Sequence, residues 1–156
     1  MATRTRGFSL IELVIVIVII GIIAAIAIPR MSRGAAAAAD ASLQASLRTL
    51  RNAIDLFQGE HPTASNNGYP TLTNFVDQMT KYSNDAGTTS ASKDSTYYLG
   101  PYLKEVPALP VGANKGARTV AGTTGGTAGW VYTESTGSIV ANATESDARG
   151  VAYSSY

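Results

Sequence analysis

The sequence predicts an α+β chain, a long N-terminal helix followed by a small antiparallel sheet, and three observations predict it. From Leu13 to Ile28 every residue except Gly21 is aliphatic. Further on, Leu43, Leu47, Leu50, Ile54 and Phe57 recur at spacings of four, three, four and three, the period of one helix face. Towards the C-terminal end, "GWVYT" and "SIVAN" flank "ESTG", a loop short enough to close a β-hairpin, with Gly137 near its end. The sheet is expected to pack on the stripe from Leu43 to Phe57.

Taken in order, Met1 to Gly7 is a short polar leader bearing Arg4 and Arg6. Phe8 to Ile28 is 21 residues, roughly 31 Å as a helix, about the thickness of a bilayer's hydrocarbon core. Arginines on the leading side predict that the leader stays cytoplasmic and that the chain beyond the apolar run is exported. After Pro29 the pattern is helical again, and Gly59 with Pro62 supplies a stop, so one helix is expected from about Phe8 to about Gln58. Asn, Ser, Thr, Gly and Asp dominate from Glu60 to about Thr96, with one apolar island predicting a short helix over 74–82. "YYLGPYLKEVPALP" predicts a tight helical turn and then an extended segment, because Pro101, Pro107 and Pro110 exclude a long helix and a central strand. "ARTVA" is a weak strand, "GTTGGTAG" a linker or edge loop, and the tail through "VAYSSY" a candidate further strand. The division is therefore 1–7 leader, 8–28 apolar helix, 29–59 amphipathic continuation and 60–156 head.

Composition narrows the function classes. Of 156 residues 45% are hydrophobic, but much of that belongs to the apolar helix, so the head has a modest core. Beyond Pro29 there are 10 basic and 10 acidic side chains, and no basic stripe that would mark a dedicated nucleic-acid site. The absence of cysteine excludes disulfides, thiolate metal sites and cysteine nucleophiles together. His61, the single histidine, reads as an exposed residue after a helix stop, which leaves little for a Ser-His-Asp or zinc site. The glycines of "GTTGGTAG" do not match a phosphate cradle, and Asn142-Ala143-Thr144 is a glycosylation sequon by pattern only.

One carboxylate, Glu12, lies inside the apolar run, where an ionised group costs about 2.5–3.5 kcal/mol at the bilayer centre and less near the edge. Its context is Arg6-Gly7-Phe8-Ser9-Leu10-Ile11-Glu12. This resembles the processing motif of the type IV pilin family: a short basic leader ending in Gly, then Phe, then a helix with Glu at the fifth residue after the Gly. The resemblance implies a pilin-like fold and cleavage between Gly7 and Phe8 by a prepilin peptidase, with N-methylation of Phe8. It further implies a non-enzymatic subunit of the bacterial inner membrane, single-pass with its head in the periplasm. Such a subunit forms a homo-oligomeric helical filament through its N-terminal helix. Its partners are an inner-membrane assembly platform and minor pseudopilins or pilins. Cleavage creates a cation at Phe8, since an α-amine has a pKa of about 8. Glu12 is then expected to remain unpaired until the Phe8 amine of a neighbouring subunit arrives, which sets the register. Gly21 and Pro29 fall where the family's helix has its weak points.

Further along, "YLGPYLKEVPALP" looks like a segment of major pseudopilins of type II secretion, and "GWVYTESTGSIVAN" is similar to a terminal hairpin of related proteins. Leu109 to Asn114 stands where many pseudopilins carry an Asp-Pro-Trp-Gly-Asn type loop, which is a departure. Major pseudopilins also resemble calcium binders. No cofactor is required by this reading, and Glu134, Glu145 and Asp147 are the candidate calcium ligands, short of the six to eight oxygens a hard cation takes. Lack of cysteine departs from adhesive pilins that close a C-terminal loop with a disulfide. The first expectation is thus a pseudopilus subunit, and the second a type IV pilus subunit for adhesion, motility or DNA uptake. Ala25-Ile26-Ala27 keeps open a removable secretory signal releasing a soluble binding module, against which Glu12 and the length of the apolar run both speak. An enzyme anchored by the helix stands third.

Overall fold

The computed structural model describes residues 8–156, apart from the side chains of Pro29, Ser32 and Arg33. The chain divides into two units, residues 1–37 and 38–156, and the fold is α+β as expected. Helix α1 covers Leu10–Glu60. Within the first unit, Leu10–Ile28 is long and apolar enough to cross a membrane by length and composition, at roughly 28 Å for its 19 residues. None of this stretch is buried within the chain, and Leu13, Ile17, Ile20 and Ile26 are each more than half exposed. A helix apolar on every side needs a non-aqueous environment or neighbouring helices. The backbone stays helical through Gly21 and Pro29, although an interior Pro costs about 3 kcal/mol and Gly about 1 relative to Ala.

The second unit is organised on the amphipathic part of α1. Leu43, Leu47, Leu50, Ile54 and Phe57 are all buried, joined by Ala53, while Asn52, Asp55 and Leu56 on other faces are exposed. The helix ends at Glu60 rather than at Gln58. Gly59 continues the helix at modest cost, and the stop comes from Pro62, which disfavours the α conformation of His61 before it. Next come a 3₁₀ turn at Asn66–Gly68 and α2, Phe75–Thr80, shorter than the span 74–82 because Lys81 is already extended and leads into β1. β1 (Tyr82–Ser83) pairs antiparallel with β2 (Thr89–Ser90) across a turn in which the Gly87 N–H donates to the Asn84 carbonyl at 2.8 Å. This small hairpin falls in the region expected to be loop.

The main sheet has the order β3 (Val120–Ala121), β4 (Trp130–Thr133), β5 (Ser138–Ala141). β4 and β5 form the expected antiparallel hairpin, Trp130 opposite Ala141 and Tyr132 opposite Ile139. All four of these residues face the core. Gly137 turns the hairpin at φ +69°, and a Cβ there would lie 2.3 Å from the Tyr69 ring, so any other residue strains the turn and displaces Tyr69. To the expected antiparallel pair the structure adds β3 as an edge that runs parallel to β4, with Val120 opposite Trp130. The "GTTGGTAG" loop makes this short return feasible. At its end Gly129 passes so close to the Ala117 carbonyl oxygen that a Cβ would sit 2.3 Å from it.

Two further expectations are corrected. Tyr97–Pro110 contains no helical turn: Leu99 makes an isolated bridge to Ser83, the Gly100–Pro101 bond is cis, and Tyr102 and Leu103 donate their N–H groups to the Met79 carbonyl. Those donors are satisfied by α2's last turn instead of by a local helix. The tail likewise forms no strand ladder. It makes one bridge, Ser146 to Ala152, and then a 3₁₀ turn, Tyr153–Ser155, whose Tyr153 packs against the core.

The core beneath α1 sets a stability prediction. Leu50→Ala removes a fully buried side chain from the stripe and should destabilise the head by about 2–5 kcal/mol, whereas exposed Leu56→Ala should change it by less than about 0.5. Denaturant unfolding followed through the fluorescence of Trp130, the one tryptophan, measures both.

Candidate functional site

The N-terminal segment carries the chemistry suggested by the sequence. Of the cleavage pair, Gly7 lies outside the described residues; Phe8 is 81% exposed and precedes the helix. Ser9 also precedes α1, and its carbonyl accepts the Leu13 N–H at 3.2 Å. The Ser9 N–H donates to Glu12 Oε2 at 2.8 Å. Glu12 is therefore the third residue of the helix reaching back to the N-cap amide, one arm of a capping box. The favourable end of the helix dipole reinforces the contact. Glu12 therefore has a hydrogen-bond partner within its own chain, while the expected partner for its charge, a neighbour's amine, belongs to a second molecule. The signal was present as Ser9-Leu10-Ile11-Glu12, the S-x-x-E pattern that marks a helix start. Among the described residues only Oε2 is engaged, so the carboxylate is exposed and able to receive an ammonium at its other oxygen.

The three candidate calcium ligands are used in separate places. Glu134 Oε2 accepts the Leu72 N–H at 2.7 Å and so ties the β4–β5 turn to the segment before α2. Glu145 Oε1 accepts the Ala113 N–H at 2.8 Å, at the Leu109–Asn114 loop. Asp147, its side chain buried, accepts from the Arg149 and Val151 amides, from Arg149 Nε and from the Tyr156 hydroxyl. The Tyr156 hydroxyl above all, with those amides and the Arg149 cation, holds the Asp147 carboxyl well below the usual carboxylate range against the opposing effect of burial. Among the described residues, no three His, Cys, Asp or Glu side chains are grouped to hold a metal ion.

His61 is not exposed after the helix stop; it is fully buried. Its ring stacks on Phe57 with centroids 3.8 Å apart, Nδ1 lies 2.7 Å from the Phe57 carbonyl, and Nε2 lies 3.0 Å from Ser83 Oγ. Because the carbonyl can only accept, Nδ1 donates to it, and Nε2 and the Ser83 hydroxyl share the second hydrogen bond. The pair seals the end of α1 against β1 and presents no reactive face. Asn142 of the sequon is equally committed. Its Nδ2 donates to the Gly125 and Ala128 carbonyls and its Oδ1 accepts the Gly125 N–H, so it pins the glycine-rich loop to the end of β5. Tyrosine phenols form a further set of ties that no sequence pattern announces: Tyr153 to Asp40, Tyr102 to Glu60 and Tyr98 to Asp85. Burial, then the Glu60 carboxylate, pushes the Tyr102 phenol well above its usual range; burial, then Glu134, does the same to Tyr132. Phenols held protonated in this way serve as structural donors.

Comparison with known proteins bears on the N-terminal segment. Residues 3–28 match the family model of the prokaryotic N-terminal methylation motif. No curated protein and no solved structure matches the chain. The matched residues take in Phe8, Ser9 and Glu12 and run to the end of the apolar stretch Leu10–Ile28. That motif, joined directly to a helix apolar and long enough to enter a membrane, supports reading the chain as a type IV pilin-like filament subunit anchored through its N-terminal helix.

Proposed function

We propose that the chain is a prepilin whose product, after cleavage between Gly7 and Phe8 and N-methylation of Phe8, polymerises into the pseudopilus of a type II secretion system. The observation that carries the filament reading is the methylation motif over residues 3–28 leading straight into the exposed apolar helix. A helix with no apolar side chain buried in its own chain from Leu10 to Ile28 is stable in a bilayer, or against copies of itself, and in neither case does the head have to cover it. Preference for a pseudopilus over a pilus draws on the segment Gly100-Pro101-Tyr102-Leu103 with the prolines after it, and on the lack of cysteine. On this reading the subunit starts in the inner membrane with its head in the periplasm, is processed by a prepilin peptidase, and joins an assembly platform and minor subunits. Its role is mechanical, and no catalytic group is assigned.

Glu12 keeps its register role in a modified form. Once Phe8 has a free amine, the Glu12 carboxylate of another subunit receives that cation while Oε2 still caps Ser9, so the helix start is preserved when subunits pair.

Mass spectrometry of the mature N-terminal peptide tests the processing: an N-methylated Phe8 is expected, and a mature chain beginning at Ile28 would replace this reading with a secreted module. Glu12→Ala should insert into the membrane normally yet lower filament yield at least about tenfold, the equivalent of roughly 1.4 kcal/mol per subunit contact; undiminished filaments would remove the register role. Electron microscopy of producing cells separates the two filament types, with short periplasmic stalks expected and long surface fibres pointing instead to a pilus subunit.

A further inference from the structure

We propose that Arg149 is the resident cation of the C-terminal loop, occupying the role that the pseudopilin resemblance would give to calcium, so that the head is closed without a divalent ion. Asp147 is the only one of the three candidate carboxylates whose side chain is wholly buried, and its two oxygens are filled. Oδ1 accepts the Arg149 and Val151 amides, each at 2.8 Å, and Oδ2 accepts Arg149 Nε at 2.8 Å and the Tyr156 hydroxyl at 2.6 Å. A carboxylate has about four lone-pair sites, and four donors use them all. Arg149 Nη2 also donates to the Tyr156 hydroxyl at 2.8 Å, closing a ring of Asp147, Arg149 and Tyr156.

The charges balance inside this ring. A calcium ion would need six to eight oxygens, and to take Asp147 it would have to displace a guanidinium, a hydroxyl and two amides. Glu145 and Glu134 do not converge on the ring; each holds an amide elsewhere, at Ala113 and at Leu72. The donor set therefore does not fit the metal.

The ring also explains how the tail is secured. It holds the 147–151 turn, in which the Asp147 N–H donates to the Val151 carbonyl and the Gly150 N–H to the Asp147 carbonyl. The C-terminal residues beyond the turn are thereby placed against α1. Tyr153 donates to Asp40 at 3.0 Å, and Arg51 donates to the carbonyls of Ile139 and Tyr156. A strap from β5 to the helix is thus tied through one local ion pair, a buried Asp147 carboxylate under a solvent-facing Arg149 guanidinium.

The test uses the full chain purified in detergent, with thermal unfolding followed by Trp130 fluorescence in the presence of EDTA and of excess calcium chloride, and with calorimetric titration of calcium. The unmodified chain should give the same Tm in EDTA and in calcium and no saturable calcium heat. Arg149→Ala should lower Tm by several degrees in EDTA and speed proteolysis after residue 144. A calcium-dependent rise in Tm of the unmodified chain, or saturable binding to it, overturns the proposal, as does an Arg149→Ala chain as stable as the original. If Arg149→Ala does not fold, the loss agrees with the ring's securing the tail, and the calcium comparison on the unmodified chain still decides whether a metal shares the role.

Discussion

Burial of one helix face is the constraint on which the head depends. The stripe Leu43, Leu47, Leu50, Ile54 and Phe57 is apolar on a helix whose neighbouring residues are Arg48, Arg51 and Asp55, and only elements packed on that stripe take it out of water. Phe75 and Met79 of α2, Trp130 and Tyr132 of β4, and Ile139 of β5 join it in a single cluster. At about 1.5–3 kcal/mol for each large apolar side chain fully buried, these residues dominate the favourable side of folding. The regular elements other than α1 are short, from two to six residues, and could not stand alone.

What apolar burial cannot do is choose among the many ways an irregular chain might cover such a stripe. Without cysteine, that choice falls to side chains that bond backbone groups far away in sequence. Gln78 takes the Thr71 amide and gives to the Gly87 carbonyl; Trp130 Nε1 gives to Pro107; the Tyr132 hydroxyl gives to Pro70; Arg118 gives to Val106. Among the described residues no buried side-chain nitrogen or oxygen lacks a partner. Each such bond contributes only about 0.5–1.5 kcal/mol net, but a wrong arrangement that leaves one buried group unmet loses about 1–3. The asymmetry makes these ties a penalty on alternatives, and so a source of specificity more than of total stability.

The same division explains what could be read from the sequence. Periodicity over α1 and alternation over β4 and β5 report directly which side chains go inside, and the elements built on those patterns appear where the patterns lie. β3 lies within the weakly strand-like "ARTVA", but its parallel pairing, the β1–β2 pair and the coil around Gly100 rest on backbone bonds over two residues or fewer, too short to leave a pattern. The burial of His61 is hidden from sequence because position after a helix stop says nothing about whether Ser83 and Phe57 will enclose it. At the candidate site, the motif around Phe8 and Glu12 is legible because its spacing is local. The cap between Glu12 and Ser9 is equally local and is encoded in S-x-x-E; the Asp147 ring needs Tyr156, nine residues away, to be visible at all.

That local cap changes the energetics of placing a carboxylate in the apolar helix. A charge favourably placed at a helix N-terminus gains about 0.3–1 kcal/mol at exposed sites and up to about 2 in partly buried ones. The insertion penalty is about 2.5–3.5 kcal/mol at the bilayer centre and smaller towards the edge. Capping therefore offsets a substantial part of the penalty for Glu12 near the helix start, but not the whole of it at depth. The remainder is what favours a cation once one exists, and on the proposed reading only the processed Phe8 supplies it. The cap engages Oε2 and leaves the other oxygen to the proposed amine, so on that reading the two contacts add instead of competing. On the proposed reading, the subunit is thereby tolerable in the membrane before processing and better satisfied in the filament after it, which gives assembly a direction.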